Sequence, residues 1–276
     1  MTTASAASFL TSDGVRLNLT DKGDGLPVVL LAGHTAPLGS WAPLEAALLD
    51  RGRRVVAVDR RHNGNSDFPG YGLRIARQGA DLHELLVDRV RDPAVLVGSS
   101  MGASAIWSML DLFGTAGLRG LVFVDQSPKV VNSGGWKLGL YDLTWRTLSI
   151  YVATYGSPWP RRLRRFHRPT PATYSAELMP MIQALQTPYP HKLVRPLLRD
   201  HLSQDWRDVL PRIDVPTLVI AGRHSELYPV EHAEAVAAAV PGSELRILER
   251  SGHAPMFSEP EAFNDAVATF VDQLAG

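Results

Sequence analysis

Short apolar runs alternate with longer amphipathic stretches along most of this chain. Val28 to Leu31, Arg54 to Val58, Ala94 to Val97, Leu121 to Val124, Thr217 to Ile220 and Glu244 to Leu248 read as strands. Several are apolar without a break, as expected of strands buried on both faces. Between them, Trp41 to Leu49, Ile75 to Val90, Ala103 to Phe113, Val230 to Val240 and Pro260 to Leu274 read as helices. Near the start, Ser8-Phe9-Leu10 and Val15 to Leu19 flank Ser12-Asp13-Gly14, which predicts a hairpin. The expected fold class is α/β, a mostly parallel eight-stranded twisted sheet flanked by helices.

The rhythm breaks between about Pro128 and Asp208. That stretch is rich in Pro, Arg and aromatics, including Trp136, Tyr141, Trp145, Tyr151, Tyr155, Trp159, Phe166, Tyr174 and Tyr189. So many aromatics argue against disorder. The expectation is a helical cap, residues 128–208, inserted into a core of residues 1–127 and 209–276.

Composition narrows the function. The chain has 276 residues, 28 basic and 28 acidic, and no cysteine. A balanced charge gives no reason to expect nucleic acid or an anionic membrane as partner. Without cysteine there is no disulfide and no thiolate nucleophile. The start of the chain has no basic segment followed by a long apolar one, so no signal peptide is expected. No apolar run approaches the roughly 18 residues of a membrane span. The expected setting is cytoplasmic. A homodimer is left open. Metal-binding histidine spacings and glycine-rich phosphate loops are absent, so neither metal nor cofactor is expected.

The chemistry concentrates at Gly98-Ser99-Ser100-Met101-Gly102. Strand, G-x-S-x-G and helix together form a nucleophile elbow. The sharp turn needs small residues around it and lifts the Ser100 hydroxyl out of the sheet. Ser99 lacks glycines at the right offsets. A serine hydroxyl needs a base, usually a histidine held by an acid. His253 qualifies, in the loop Ser251-Gly252-His253-Ala254-Pro255 between the last strand and the last helix.

On the elbow, this Gly-His loop and the chain order serine, acid, histidine, the sequence resembles the α/β-hydrolase fold family. The resemblance covers roughly residues 8–125 and 213–275, and does not reach the cap. It implies a backbone N–H of Met101 as one oxyanion donor. The second comes from the loop after Leu31, where the family commonly has His-Gly and this chain has Ala32-Gly33-His34. By position His34 supplies it, with Thr35 a weaker candidate. The family most often places its acid a few residues after the strand Thr217 to Ile220, and Ser225 stands there. Two carboxylates can replace it: Asp125, at the end of the preceding strand, as in some family members, or Glu226. Asp59 to Asp67 resembles a structural turn of the family. The basic run Arg161 to Arg165 reads as a solvated helix face rather than an anion site.

The function these features imply is a cofactor-independent serine hydrolase cleaving a small or medium apolar ester or lactone through an acyl-enzyme on Ser100. The fold also hosts carbon–carbon bond hydrolysis, perhydrolase and haloperoxidase-like chemistry, and lyases. A ligand receptor with a weakly active triad is a further alternative. A serine at the elbow argues against haloalkane dehalogenation, for which the family uses aspartate.

Overall fold

The computed structural model describes residues 7–156, 164–186 and 188–275. Trp159 and most of the Arg161 to Arg165 run lie outside these residues. Two strands, β1 (Ala7–Leu10) and β2 (Arg16–Lys22), form the antiparallel hairpin expected at the start. Then β3 (Pro27–Leu31), α1 (Ala42–Asp50), β4 (Arg54–Val58), α2 (Ile75–Leu85), β5 (Ala94–Ser99), α3 (Met101–Phe113) and β6 (Leu118–Val124) follow in order. The inserted segment carries α4 (Leu148–Thr154), α5 (Met179–Ala184) and α6 (His191–Ser203). The chain returns through β7 (Thr217–Gly222), α7 (Glu231–Ala239), β8 (Glu244–Leu248), α8 (Pro255–Ser258) and α9 (Pro260–Gln273).

Among the described residues the eight strands form one sheet, in the order β1-β2-β4-β3-β5-β6-β7-β8. From β4 to β8 every pairing is parallel. Every residue of β3 and β5 is buried, which explains their unbroken apolar character. Alternate residues of a strand enter opposite layers. Val28, Leu30, Val95 and Val97 pack with Leu44 and Leu48 of α1 and Phe263 and Val267 of α9. Val29, Leu31 and Leu96 face the other layer, with Leu82 of α2 and Ile106 and Trp107 of α3.

The chain runs from β3 outward to β4 and then returns to β5 on the other side of β3. That reversal opens a crevice beyond the carboxyl ends of β3 and β5, where ligands of open α/β sheets bind. No helix of the described residues is long and apolar enough to cross a membrane.

Candidate active site

Most of the candidate site positions lie in loops that leave the carboxyl ends of parallel strands, and Met101 opens α3 directly after Ser100. His34 follows β3, Ser100 follows β5, Asp125 follows β6, Ser225 and Glu226 follow β7, and His253 follows β8. Parallel pairing brings residues from five separate parts of the chain to one rim of the sheet.

Ser100 has φ 52° and ψ −123°, a conformation an L-residue adopts only when its surroundings impose it, at about 1–3 kcal/mol. Its own N–H donates to the Val124 carbonyl at 2.9 Å, and its carbonyl accepts from the Ala103 N–H at 2.9 Å. The flanking glycines make room for this turn. A Cβ on Gly102 would lie 2.2 Å from the Leu31 carbonyl oxygen, and one on Gly98 would lie 2.7 Å from the Ala103 nitrogen. Ser99, by contrast, is the last residue of β5 and is buried.

Ser100 and His253 line the same cavity, of about 230 Å³. The sheet side of its wall includes Gly33 and His34, and the inserted segment adds Tyr151, Tyr155, Leu198 and His201. Of the other aromatics of that segment, Phe166 is buried, Trp136 lies under Arg207, and Trp145 and Tyr174 are exposed.

The two candidate acids have different partners. Asp125 Oδ2 lies 2.5 Å from His253 Nδ1. Asp125 is 1% exposed, with φ 45° at the end of β6. The Ser225 hydroxyl donates to the same Oδ2 at 2.6 Å. The other oxygen, Oδ1, is 3.9 Å from Nε2 of the buried His232. Burial lowers the His232 pKa, so this second imidazole is held toward its neutral form. Glu226 instead accepts the backbone N–H of His253 at 2.8 Å. It holds the main chain of the loop, whereas Asp125 meets the ring. Tyr228 stands edge-on to the His253 ring, with centroids 6.0 Å apart.

Behind the loop at Gly33-His34 stands Arg60. Its Nε donates to the Ala32 carbonyl at 3.1 Å and its Nη2 to the Gly33 carbonyl at 2.9 Å. Asn63 Nδ2 also donates to the Gly33 carbonyl, at 3.0 Å. Burial lowers the Arg60 pKa to about 10, which leaves it charged at neutral pH. The Gly33 carbonyl belongs to the same peptide as the His34 N–H, so a charged donor on that oxygen strengthens the N–H as a donor. The Asp59 carboxylate accepts from the Leu38 and Asn65 amides, at 2.6 and 2.9 Å, and Arg61 pairs with Asp13 and Asp81. The stretch from Asp59 to Asp67 thus braces the site from behind.

Three contributions escaped sequence reasoning. In the sequence Ser225 marks only the place where an acid is missing, and its hydrogen bond to Asp125 has no local signal. Arg60 sits in a turn read as scaffold. His201 did leave a signal: it falls on the buried face of α6 with Val194, Leu197, Leu198 and Leu202, where a polar ring is out of place.

This arrangement, on this sheet, defines a class. The alpha/beta hydrolase family model matches residues 28–266, and the chain belongs to that family. Among its relatives, a putative non-heme chloroperoxidase of Synechocystis sp. is 27% identical over 257 residues, covering 91% of this chain and 93% of that protein. A pimeloyl-(acyl-carrier protein) methyl ester esterase of Vibrio vulnificus is 27% identical over 264 residues, covering 92% of this chain and 97% of the relative. In structure, the chain is similar to the esterase EaEST of Exiguobacterium antarcticum. The TM-score is 0.86 at 25% identity, covering 97% of this chain and 99% of the other.

Proposed function

We propose that this protein is a serine hydrolase that cleaves a small or medium, uncharged carboxylic ester or lactone. The observation that carries the proposal is the pairing of His253 Nδ1 with the buried Asp125 carboxylate, on a ring that shares its cavity with the strained Ser100. Ser100 Oγ attacks the carbonyl carbon while His253 Nε2 takes its proton. Asp125 holds the imidazole with Nδ1 protonated and stabilises the imidazolium that forms. The backbone N–H groups of Met101 and His34 receive the oxyanion. His253 then protonates the departing alkoxide, and water releases the acid by the same route. Glu226 keeps the His253 loop in place through its amide. The mostly apolar wall selects for an apolar substrate body. Residues 128–208 act as a cap over a core made of the rest of the chain.

A fluorophosphonate probe with intact-mass readout tests the proposal. Wild type is expected to gain one adduct and Ser100→Ala none. A folded wild type that stays unlabelled would overturn it. The chloroperoxidase names among the relatives favour a second reading. In it, hydrogen peroxide replaces water at the acyl-enzyme and a peracid leaves. Peracid formation from an ester and peroxide, dependent on Ser100, distinguishes the two.

A further inference from the structure

We propose that a cleft beside the catalytic cavity seats a linear apolar chain of the substrate, so that the preferred ester is uncharged and carries an unbranched, medium-length chain on one arm. The ester rests on the hydrolase reading above, whereas the seating of the chain does not.

The cleft, of about 290 Å³, lies between the segment that follows His34 and the end of α5. Four residues, Ala36, Ser40, Tyr155 and Phe257, line both this cleft and the cavity of Ser100 and His253. The two spaces therefore adjoin, one side chain apart. Ala36 and Ser40 are small, so the bulk at the junction is the half-buried rings of Tyr155 and Phe257. A substrate chain that outgrows the catalytic cavity has this second space next to it.

The wall says what kind of chain fits. Ile182 and Leu185 stand three positions apart at the end of α5, hence on one face, and both line the cleft half-buried. Helix α5 buries none of its residues. Its apolar face has no protein core to pack against, and a chain in the cleft would take that surface out of water. Across from it, Gly39 lies in the short helical turn before α1. A Cβ on Gly39 would lie 2.8 Å from Leu185 Cδ2. The missing side chain lets Leu185 come close, which keeps the cleft narrow and suits an unbranched chain. Among the described residues neither wall includes Asp, Glu, Lys or Arg. A charged chain would be desolvated there without a counter-charge, so the chain is uncharged.

Ethyl butanoate, ethyl octanoate and hexyl butanoate test the chain site. The two longer esters are isomers, with four methylenes added to the acyl or to the alcohol arm, so comparing them separates a seated chain from mere hydrophobicity. One isomer is expected to exceed ethyl butanoate in kcat/KM by at least about tenfold, where full burial of four methylenes would give about 200-fold. That isomer identifies the arm. Ile182→Trp and Leu185→Trp each fill the cleft and should bring the ratio toward one. Each ratio is taken within one sample, so partial unfolding of a variant does not move it. No gain in either isomer, equal gains in both, or a gain that survives both substitutions would overturn the chain site. In parallel, the same esters are titrated into Ser100→Ala protein and followed by NMR. Affinity should rise for the same isomer, and adding Leu185→Trp should remove the rise. That binding pattern without turnover of any ester by wild type would instead overturn the hydrolase reading and leave the chain site standing.

Discussion

Asp125 Oδ2 receives two hydrogen bonds, one from His253 and one from Ser225, and both are short. A carboxylate held from two sides has little freedom to turn away from the imidazole. The proposed acid can therefore be told from its neighbour. Asp125→Asn is expected to lower kcat by on the order of 10⁴, as in triads that lose their acid with geometry intact. Glu226→Gln keeps an oxygen for the His253 amide and should lower kcat by less than about tenfold. Ser225 stands where the family usually has its acid, within 2.6 Å of the carboxylate proposed for the role here. Moving the charge across that bond should preserve function. The double variant Asp125→Ser, Ser225→Asp is expected to exceed Asp125→Ser alone by roughly 100-fold in kcat, a partial recovery of the acid's contribution. Single-turnover kinetics on a p-nitrophenyl ester would check all four. Ser100 and His253 can be proposed from the sequence alone because each sits in a short local motif. The choice between Asp125 and Glu226 was not, because both lie within reach of the same loop and use it differently.

The elements came through the sequence well wherever a periodic pattern met a clear end. β4 and β8 run as their apolar residues predict, Arg54–Val58 and Glu244–Leu248. The helix expected over Ile75 to Val90 is α-helical only to Leu85. A π-helical turn follows, Leu86–Val90, and Arg91 closes it at φ 67°. Strand β6 begins at Leu118, earlier than its apolar run at Leu121, because Leu118 and Gly120 pair with Ala94 and Val95 of β5, with a register shift that passes over Arg119. The inserted helices were predicted only as a class. α4 and α5 are short, and α6 contains Pro196, so no long period marks them. The elbow makes a sharper claim at this scale. Gly102→Ala would drive a Cβ against the Leu31 carbonyl oxygen. It should cost about 3 kcal/mol, like other severe backbone clashes, and lower Tm by roughly 6–12 °C, as differential scanning calorimetry would show.

The whole molecule sets the environment of its buried histidines. His201 falls from an ordinary value of 6.5 to about 3 in the folded chain, chiefly through burial. Between those values the unfolded chain binds a proton that the folded chain does not. Stability from this group is complete above pH 6.5 and is lost as the pH falls toward 3, at up to about 1.4 kcal/mol per pH unit. From pH 7 to pH 5 the loss due to His201 should approach about 2 kcal/mol. Urea unfolding at the two pH values is expected to show that difference shrinking by this amount in His201→Leu. If the variant keeps the full pH dependence, the ring is solvated rather than buried.

The sequence by itself determined what depends on neighbours along the chain. The alternation of strands and helices, the small-residue turn around Ser100, the Gly-His loop after the last strand and the break in pattern after Pro128 are all local. Only the tertiary structure decided what depends on distance through space. His253 and Asp125 are 128 positions apart in the chain, and Ser225 and Asp125 are 100 apart. Parallel pairing of β6, β7 and β8 brings their loops to one rim, and no periodicity encodes which side chain in each loop then faces which. The cavity wall is settled the same way. Tyr155 and His201 reach it while Trp145 turns to solvent, because the packing of the inserted segment on the sheet, rather than residue type, selects the face that looks inward.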